Sequence, residues 1–115
     1  MDKILNIKKA MEIFDNDVSL YKELMNIFLM KYPKYMDEIL DDIDNKKFKE
    51  LSFKAHRLKG MLQNLGADRA SKTAAILEKE NSQNRNEDYK SVYTHLNREL
   101  VNLKIFFIKN INLIH

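Results

Sequence analysis

At 115 residues, 44% of them apolar and 32% charged, the chain has the size of one domain, residues 1–115, and the make-up of a helical protein with amphipathic faces. The lack of cysteine excludes disulfides and thiolate metal sites, and two glycines with one proline leave no material for hairpins or a glycine-rich phosphate loop. A net charge of +3, with no dense Lys/Arg run, argues against nucleic acid as a partner, and no apolar run reaches the roughly 18 residues of a membrane span.

Ile4, Leu5, Ile7, Met11 and Phe14 predict a short amphipathic helix with Asn6 as N-cap. Asp15-Asn16-Asp17 is a turn that also caps the next helix. That helix shows Leu20, Leu24, Ile27, Phe28, Tyr35, Ile39, Leu40 and Ile43 on one broad face, with Pro33 in its middle. Proline removes a backbone donor and disfavours helical geometry at the residue before it, so a kinked helix or two abutting ones are expected. A third helix runs from Lys46 to Leu65, and Gly66 is placed to close it in the left-handed conformation. Asp68 reads as the N-cap of a fourth, about Arg69 to Glu80, whose inward face is small: Ala70, Thr73, Ala74 and Leu77. That small face is expected to make room for Met61 and Leu62, since a close-packed core conserves volume. Asn81 to Asn86 is polar and reads as an exposed loop. The last helix, about Glu87 to Asn110, carries the stripe Tyr89, Val92, Leu96, Leu100, Leu103 and Phe107. Ile105 to Ile108 is apolar all round and is expected to end the bundle core, with a dimer contact as the alternative. The expected fold is all-α: an antiparallel up-down four-helix bundle with the short N-terminal helix capping one end.

The third helix holds the chemistry. Leu51, Ala55, Leu58, Leu62 and Leu65 form its apolar stripe. At about 100° per residue, His56 falls roughly 125–165° from the centre of that stripe, on the wet face. Ser52, Lys59, Gly60 and Gln63 lie within about 60° of it. Gly60 costs about 1 kcal/mol relative to alanine in mid-helix. Access of another molecule to His56 is one reason for it, and a helix–helix contact is the other. Phe53 lies off the core stripe. It is either an anchor for a docking partner or packed under the first helix. His95 and His115 read as solvated surface histidines.

The run His56-x-Leu58-Lys59-Gly60, followed by Leu65-Gly66, resembles the signature of histidine-containing phosphotransfer (HPt) domains, the helical relays of multistep phosphorelays. The resemblance covers about Ile7 to Phe107. It includes Ala10-Met11-Glu12-Ile13-Phe14-Asp15-Asn16-Asp17 and Tyr21-Lys22-Glu23-Leu24, which are similar to the first helix and second-helix start of bacterial members. It departs from the family at Met61 and Leu62, where small residues are usual. The resemblance implies a phosphoryl group on His56, Lys59 near it and Gly60 giving access. It also implies receiver domains of response regulators as partners, supplying aspartate and Mg2+, in a cytoplasmic setting, with a hybrid sensor kinase as a candidate further partner.

Elementary chemistry agrees. A neutral imidazole is a good nucleophile toward phosphorus, and free imidazole titrates near about 6.5. A cation nearby steadies the charge on the transferred group, so Lys59, one turn away, is assigned to the phosphate, and Gln63, two turns away, to the phosphate or the partner. Ser52, Phe53, Gly60 and Arg57 complete the partner-facing set. No cofactor and no metal site is expected, and nothing in the chain resembles the ATP machinery of a kinase. A di-iron or haem bundle is disfavoured because no histidine follows a glutamate by three positions. The better rivals are a helical adaptor that never carries phosphate and a degenerate relay that only binds receivers.

Overall fold

Helix formation starts where Asn6 accepts a hydrogen bond from the Lys9 backbone N–H at 3.2 Å, opening α1 (Ile7–Ile13). The structure, a computed structural model, describes residues 3–79 and 86–113. Asp15 and Asn16 take left-handed backbone angles, which short polar side chains tolerate, and reverse the chain. Asp17 then caps α2 (Val18–Asp44) by accepting from the Leu20 N–H at 3.0 Å. After a turn in which Lys46 has φ +56° come α3 (Phe48–Asn64) and α4 (Asp68–Glu78). Then follow α5 (Asn86–Asn110) and a 3-10 turn at Ile111–Leu113. No strand occurs among the described residues.

The all-α four-helix bundle with its short N-terminal helix is the expected architecture. Its directions follow from cross-contacts at both ends. Lys90 of α5 pairs with Asp44 at the end of α2 at 3.1 Å, while Phe107 packs edge-on against Tyr21 at the start of α2, ring centroids 6.4 Å apart. The two helices are therefore antiparallel. The apolar stripe of α3 is buried as expected, and Leu96, Leu100, Leu103 and Phe107 of α5 are fully enclosed.

Several expectations are corrected. Of the two outcomes expected at Pro33, the structure has the single long helix and not two abutting ones. Tyr32 and Met36 on either side of it are buried, and that packing outweighs the local cost of about 3 kcal/mol. The buried face of α2 is the expected one only in part: Phe28, Ile39 and Ile43 are buried as expected, but the first half of the face is shifted. Tyr21, Met25, Phe28, Leu29, Tyr32, Met36, Ile39 and Ile43 enter the core, while Leu20, Leu24 and Ile27 remain about two-fifths exposed. Tyr21 makes its burial affordable by donating its hydroxyl to the Leu65 carbonyl at 2.8 Å, and burial pushes its ionisation well above the usual tyrosine range. The third helix starts at Phe48, because the left-handed Lys46 belongs to the turn. Asp68 is not an N-cap. Ala67 holds that position without a side-chain bond, and the Asp68 carboxylate instead pairs with Lys9 at 3.2 Å and accepts from Asn6. Leu62 is fully buried, but Met61 is only half-buried and lines a cavity with residues of α2. The expected Asn81–Asn86 loop lies outside the described residues except for Asn86, which opens α5; His115 also lies outside them.

Gly66 ends α3 as expected, at φ +80°. Gly66 N–H bonds to the Gln63 carbonyl at 3.1 Å and Ala67 N–H to that of Leu62 at 2.9 Å, the paired bonds of a Schellman closure. The residue also receives the N-terminal segment: Asn6 N–H donates to its carbonyl at 2.7 Å, and a Cβ here would lie 2.5 Å from the Asn6 carbonyl oxygen. Glycine is thus required twice, by dihedral angle and by contact.

Candidate functional site

Burying Leu51, Ala55, Leu58 and Leu62 turns the opposite face of α3 outward, and His56 stands there with its side chain 64% exposed. The ring is not loose. Nδ1 lies 2.5 Å from Oε1 of Glu78, the last residue of α4. The second carboxylate oxygen of Glu78 lies 2.6 Å from the Lys59 ammonium. One carboxylate therefore bridges the histidine and the lysine.

The small face of α4 is what lets Glu78 reach. Ala70, Ser71, Thr73 and Ala74 are buried, and Ser71 bonds weakly to the Lys59 carbonyl at 3.5 Å, so the two helices run close together. Ser52 fixes the far end by donating its hydroxyl to the Glu78 main-chain carbonyl. Lys59 and His56 together hold the Glu78 carboxyl below the usual carboxylate range, the hydrogen bond from Lys59 contributing most. An ionised carboxylate only accepts hydrogen bonds. The proton of the neutral ring is therefore on Nδ1, and the free lone pair is on Nε2, which has no partner among the described residues.

His56 sits in an open depression of about 740 Å³ that includes Ser52, Phe53, Arg57 and Glu78. Phe53 is 66% exposed and so does not pack under α1. Gly60 has open space where a Cβ would stand, which removes the helix–helix explanation for it. Gln63 is exposed and does not line the depression. Lys54, also at its edge, lies 2.8 Å from the buried Asp42 carboxylate, charge-paired without a well-aligned hydrogen bond. No cluster of His, Asp and Glu suited to a metal ion occurs among the described residues. No helix among them is long and apolar enough to cross a membrane.

Sequence reasoning missed Glu78, the residue that organises the site. One signal was available: Glu78 occupies the last turn of its helix, where the helix dipole disfavours an anion. An acid at that position calls for a cation nearby. Nothing in the spacing indicates that the cation is Lys59, nineteen positions earlier.

A four-helix bundle that presents an exposed imidazole on a carboxylate shared with an ammonium has the build of a histidine carrier. The family model described as the Hpt domain matches residues 23–104, most of the chain, and the chain belongs to that family. Hpt domains carry phosphoryl groups on histidine in two-component signalling, interact with receiver domains, and are not kinases themselves. No curated protein and no solved structure matches the chain.

Proposed function

We propose that His56 is the phosphoryl carrier of this Hpt domain, and that Nε2 is the atom that bears the group. The observation that carries this reading is the Glu78 bridge, which occupies Nδ1 and leaves a lone pair on Nε2 of an exposed ring. In the transfer, the Nε2 lone pair attacks phosphorus of a receiver's aspartyl phosphate. The N–P bond forms as the P–O bond to the aspartate breaks, and that electron pair leaves with the carboxylate. No proton needs to move, because the ring keeps its proton on Nδ1. The phosphorylated ring is then cationic, and the Glu78 carboxylate at 2.5 Å balances it.

Lys59 supports the other half of the product. Its ammonium rests on Glu78 before transfer and is one turn from His56, within reach of the phosphoryl oxygens. Gly60 leaves the flank open for the incoming receiver, and Phe53 and Arg57 face it. Gln63 is assigned to the partner rather than to the phosphate, being about 10 Å along the axis from His56. Ser52 acts through Glu78. The Mg2+ and the aspartate belong to the receiver, which sets the chain in the cytoplasm with its partners, a hybrid sensor kinase among the candidates.

The test is incubation with a phosphorylated receiver. The expected product is an acid-labile, base-stable phosphate on the chain that His56→Gln abolishes. Stable binding of the receiver without any label would make the chain an adaptor instead.

A further inference from the structure

The buried carboxylate of Glu99 has no part in the His56 site. It lies on α5 with 7% of its side chain exposed, and its two oxygens meet different partners. Oε1 is 3.2 Å from Nε2 of His95, one turn earlier on the same helix, and Oε2 is 3.3 Å from Nε of Arg69 on α4. One carboxylate thus again bridges an imidazole and a cation, as Glu78 does for His56 and Lys59. The neighbours correspond as well. Ser52 and Lys59 stand four positions before and three after His56, and Ser91 and Arg98 stand at the same offsets from His95. At about 100° per residue, each lies within about 60° of its histidine. Ser91, Thr94, His95 and Arg98 line one open depression of about 480 Å³, which shares no residue with the one that holds His56.

From this cluster we infer that His95 is a second phosphoryl-accepting histidine, loaded on Nδ1 by small phosphoramidate donors. The inference stands independently of the carrier reading of His56. The His95 side chain is 54% exposed, so a donor can reach it. The negative charge of Glu99 beside Nε2 favours the tautomer with its proton there, which leaves the lone pair on Nδ1. Nδ1 has no partner among the described residues. The assignment is the reverse of that at His56, where Glu78 takes Nδ1 and leaves Nε2. Arg69 ties Glu99 to α4 and so holds the carboxylate in place.

The surroundings supply what the product needs. Arg98 forms no ion pair among the described residues, so its guanidinium can turn to the phosphoryl oxygens without first leaving a carboxylate, as Lys59 must. The Ser91 hydroxyl, without a partner among the described residues, is a further donor. Thr94 donates its own hydroxyl to the Lys90 carbonyl at 2.9 Å and only walls the depression. In the step, the Nδ1 lone pair attacks phosphorus of the phosphoramidate. The bond from the ring nitrogen to phosphorus forms as the bond from the donor's nitrogen breaks, and that electron pair leaves with ammonia. The donor carries this nitrogen as an ammonium, so no further proton moves. The ring keeps its proton on Nε2 and becomes cationic, and the Glu99 carboxylate at 3.2 Å balances it.

The experiment incubates the full chain carrying His56→Gln with potassium phosphoramidate at about pH 8, where a free imidazole is neutral, beside N-acetylhistidine as the unassisted reference. Mass spectrometry at neutral pH places the label, and phosphorus-31 and nitrogen-15 spectra tell Nδ1 from Nε2. The expected label is on Nδ1 of His95, forms about tenfold faster than on N-acetylhistidine, and disappears when His95→Gln is added. Arg98→Met should slow it about five- to tenfold and Arg98→Lys should restore most of the rate. His95 and Arg98 are exposed, so these variants should melt as the parent chain does. Glu99→Gln should move label toward Nε2, a change of ring atom that lost packing between α4 and α5 would not produce. No label on His95, or a label on its Nε2 with Glu99 in place, would overturn the assignment. So would a rate no higher than that of N-acetylhistidine, a rate untouched by Arg98→Met, or a label that stays wholly on Nδ1 after Glu99→Gln. In the chain without substitutions, a label confined to His56 would sink this site and leave the carrier reading standing.

Discussion

Replacing Glu78 by glutamine keeps the shape of the side chain and removes its charge. In the wild type the carboxylate accepts from Nδ1 of His56 at 2.5 Å and from Lys59 at 2.6 Å. A hydrogen bond to a charged group exceeds a neutral one by about 1 kcal/mol, and screening at a ring 64% exposed gives no reason to raise that figure. One kcal/mol is about fivefold in the ratio of the two imidazole tautomers, and at most about fivefold in the rate at which Nε2 attacks. A second effect opposes it. Glutamine releases Lys59, and an ion pair of this partly exposed kind is worth about 0.2–1 kcal/mol, returned when the ammonium turns to the phosphoryl group. The ring effect exceeds the opposing one over most of that range, so labelling by phosphoramidate should slow by up to about fourfold. In a Lys59→Met background the opposing effect is absent and the slowing caused by Glu78→Gln should be larger, up to about fivefold. Nitrogen-15 spectra of the imidazole at about pH 8.5, above the ordinary imidazole titration, should show protonated Nδ1 in the wild type and a more even mixture in the variant. An unchanged tautomer ratio together with an unchanged rate would refute the assignment of Nε2 and the role given to Glu78.

Lys59→Met should weaken the phosphorylated form about tenfold, because a dianionic group about 4 Å from an ammonium in water-like surroundings gains about 2 kcal/mol, less the cost of leaving Glu78; the half-life of the labelled chain and the transfer equilibrium measure it, and Lys59→Arg should restore most of it. Tyr21→Phe should lower stability by about 1–2 kcal/mol and the melting temperature by about 4–8 °C, because the buried Leu65 carbonyl loses its donor. Burial raises the Tyr21 ionisation, so its contribution is whole below about pH 10 and is lost as pH rises above that, a decline that denaturant titrations should find missing in the variant. Glu78 has the opposite sign: its lowered ionisation adds stability above the usual carboxylate range that fades as pH falls through it, and Glu78→Gln should remove that acid-side slope. The two glycines should respond oppositely in melting experiments: Gly66→Ala should cost about 1–3 kcal/mol for its positive φ and its contact with Asn6, while Gly60→Ala should gain up to about 1 kcal/mol of helix propensity and still slow transfer from a receiver.

The third helix was legible because one element's own period decides it. Four leucines and an alanine at helical spacing fix the buried face, and the exposure of His56 follows without knowledge of any neighbour. The second helix was misread because it carries two apolar stripes side by side. Leu20, Leu24 and Ile27 are the more hydrophobic residues, yet the bundle buries Tyr21, Met25 and Tyr32, one position round. Periodicity cannot rank two such stripes. The choice is made by partners on other helices, such as the Leu65 carbonyl and the Phe107 ring that receive Tyr21. Asp68 was misread for a related reason: a good local capping residue was drawn into a tertiary pair with Lys9, 59 positions away. Glu78 is the strongest case, since its meaning exists only once α4 lies against α3.

These misreadings and the site share a cause. Local rules set the acceptor, because a carrier histidine needs only a wet face and a clear flank. Reactivity depends on relations between helices. Glu78 reaches His56 because α4 is built of small residues that approach α3 closely. Met61 lines the cavity between α2 and α3 and the apolar groove beside it, and neither holds His56. The departure from the family's small residues at Met61 is then a change in the surface between α2 and α3, not in the chemistry of the ring. Substituting Met61 should therefore leave the tautomer of His56 alone, whereas substituting Ser52, which holds the backbone of Glu78, should move it.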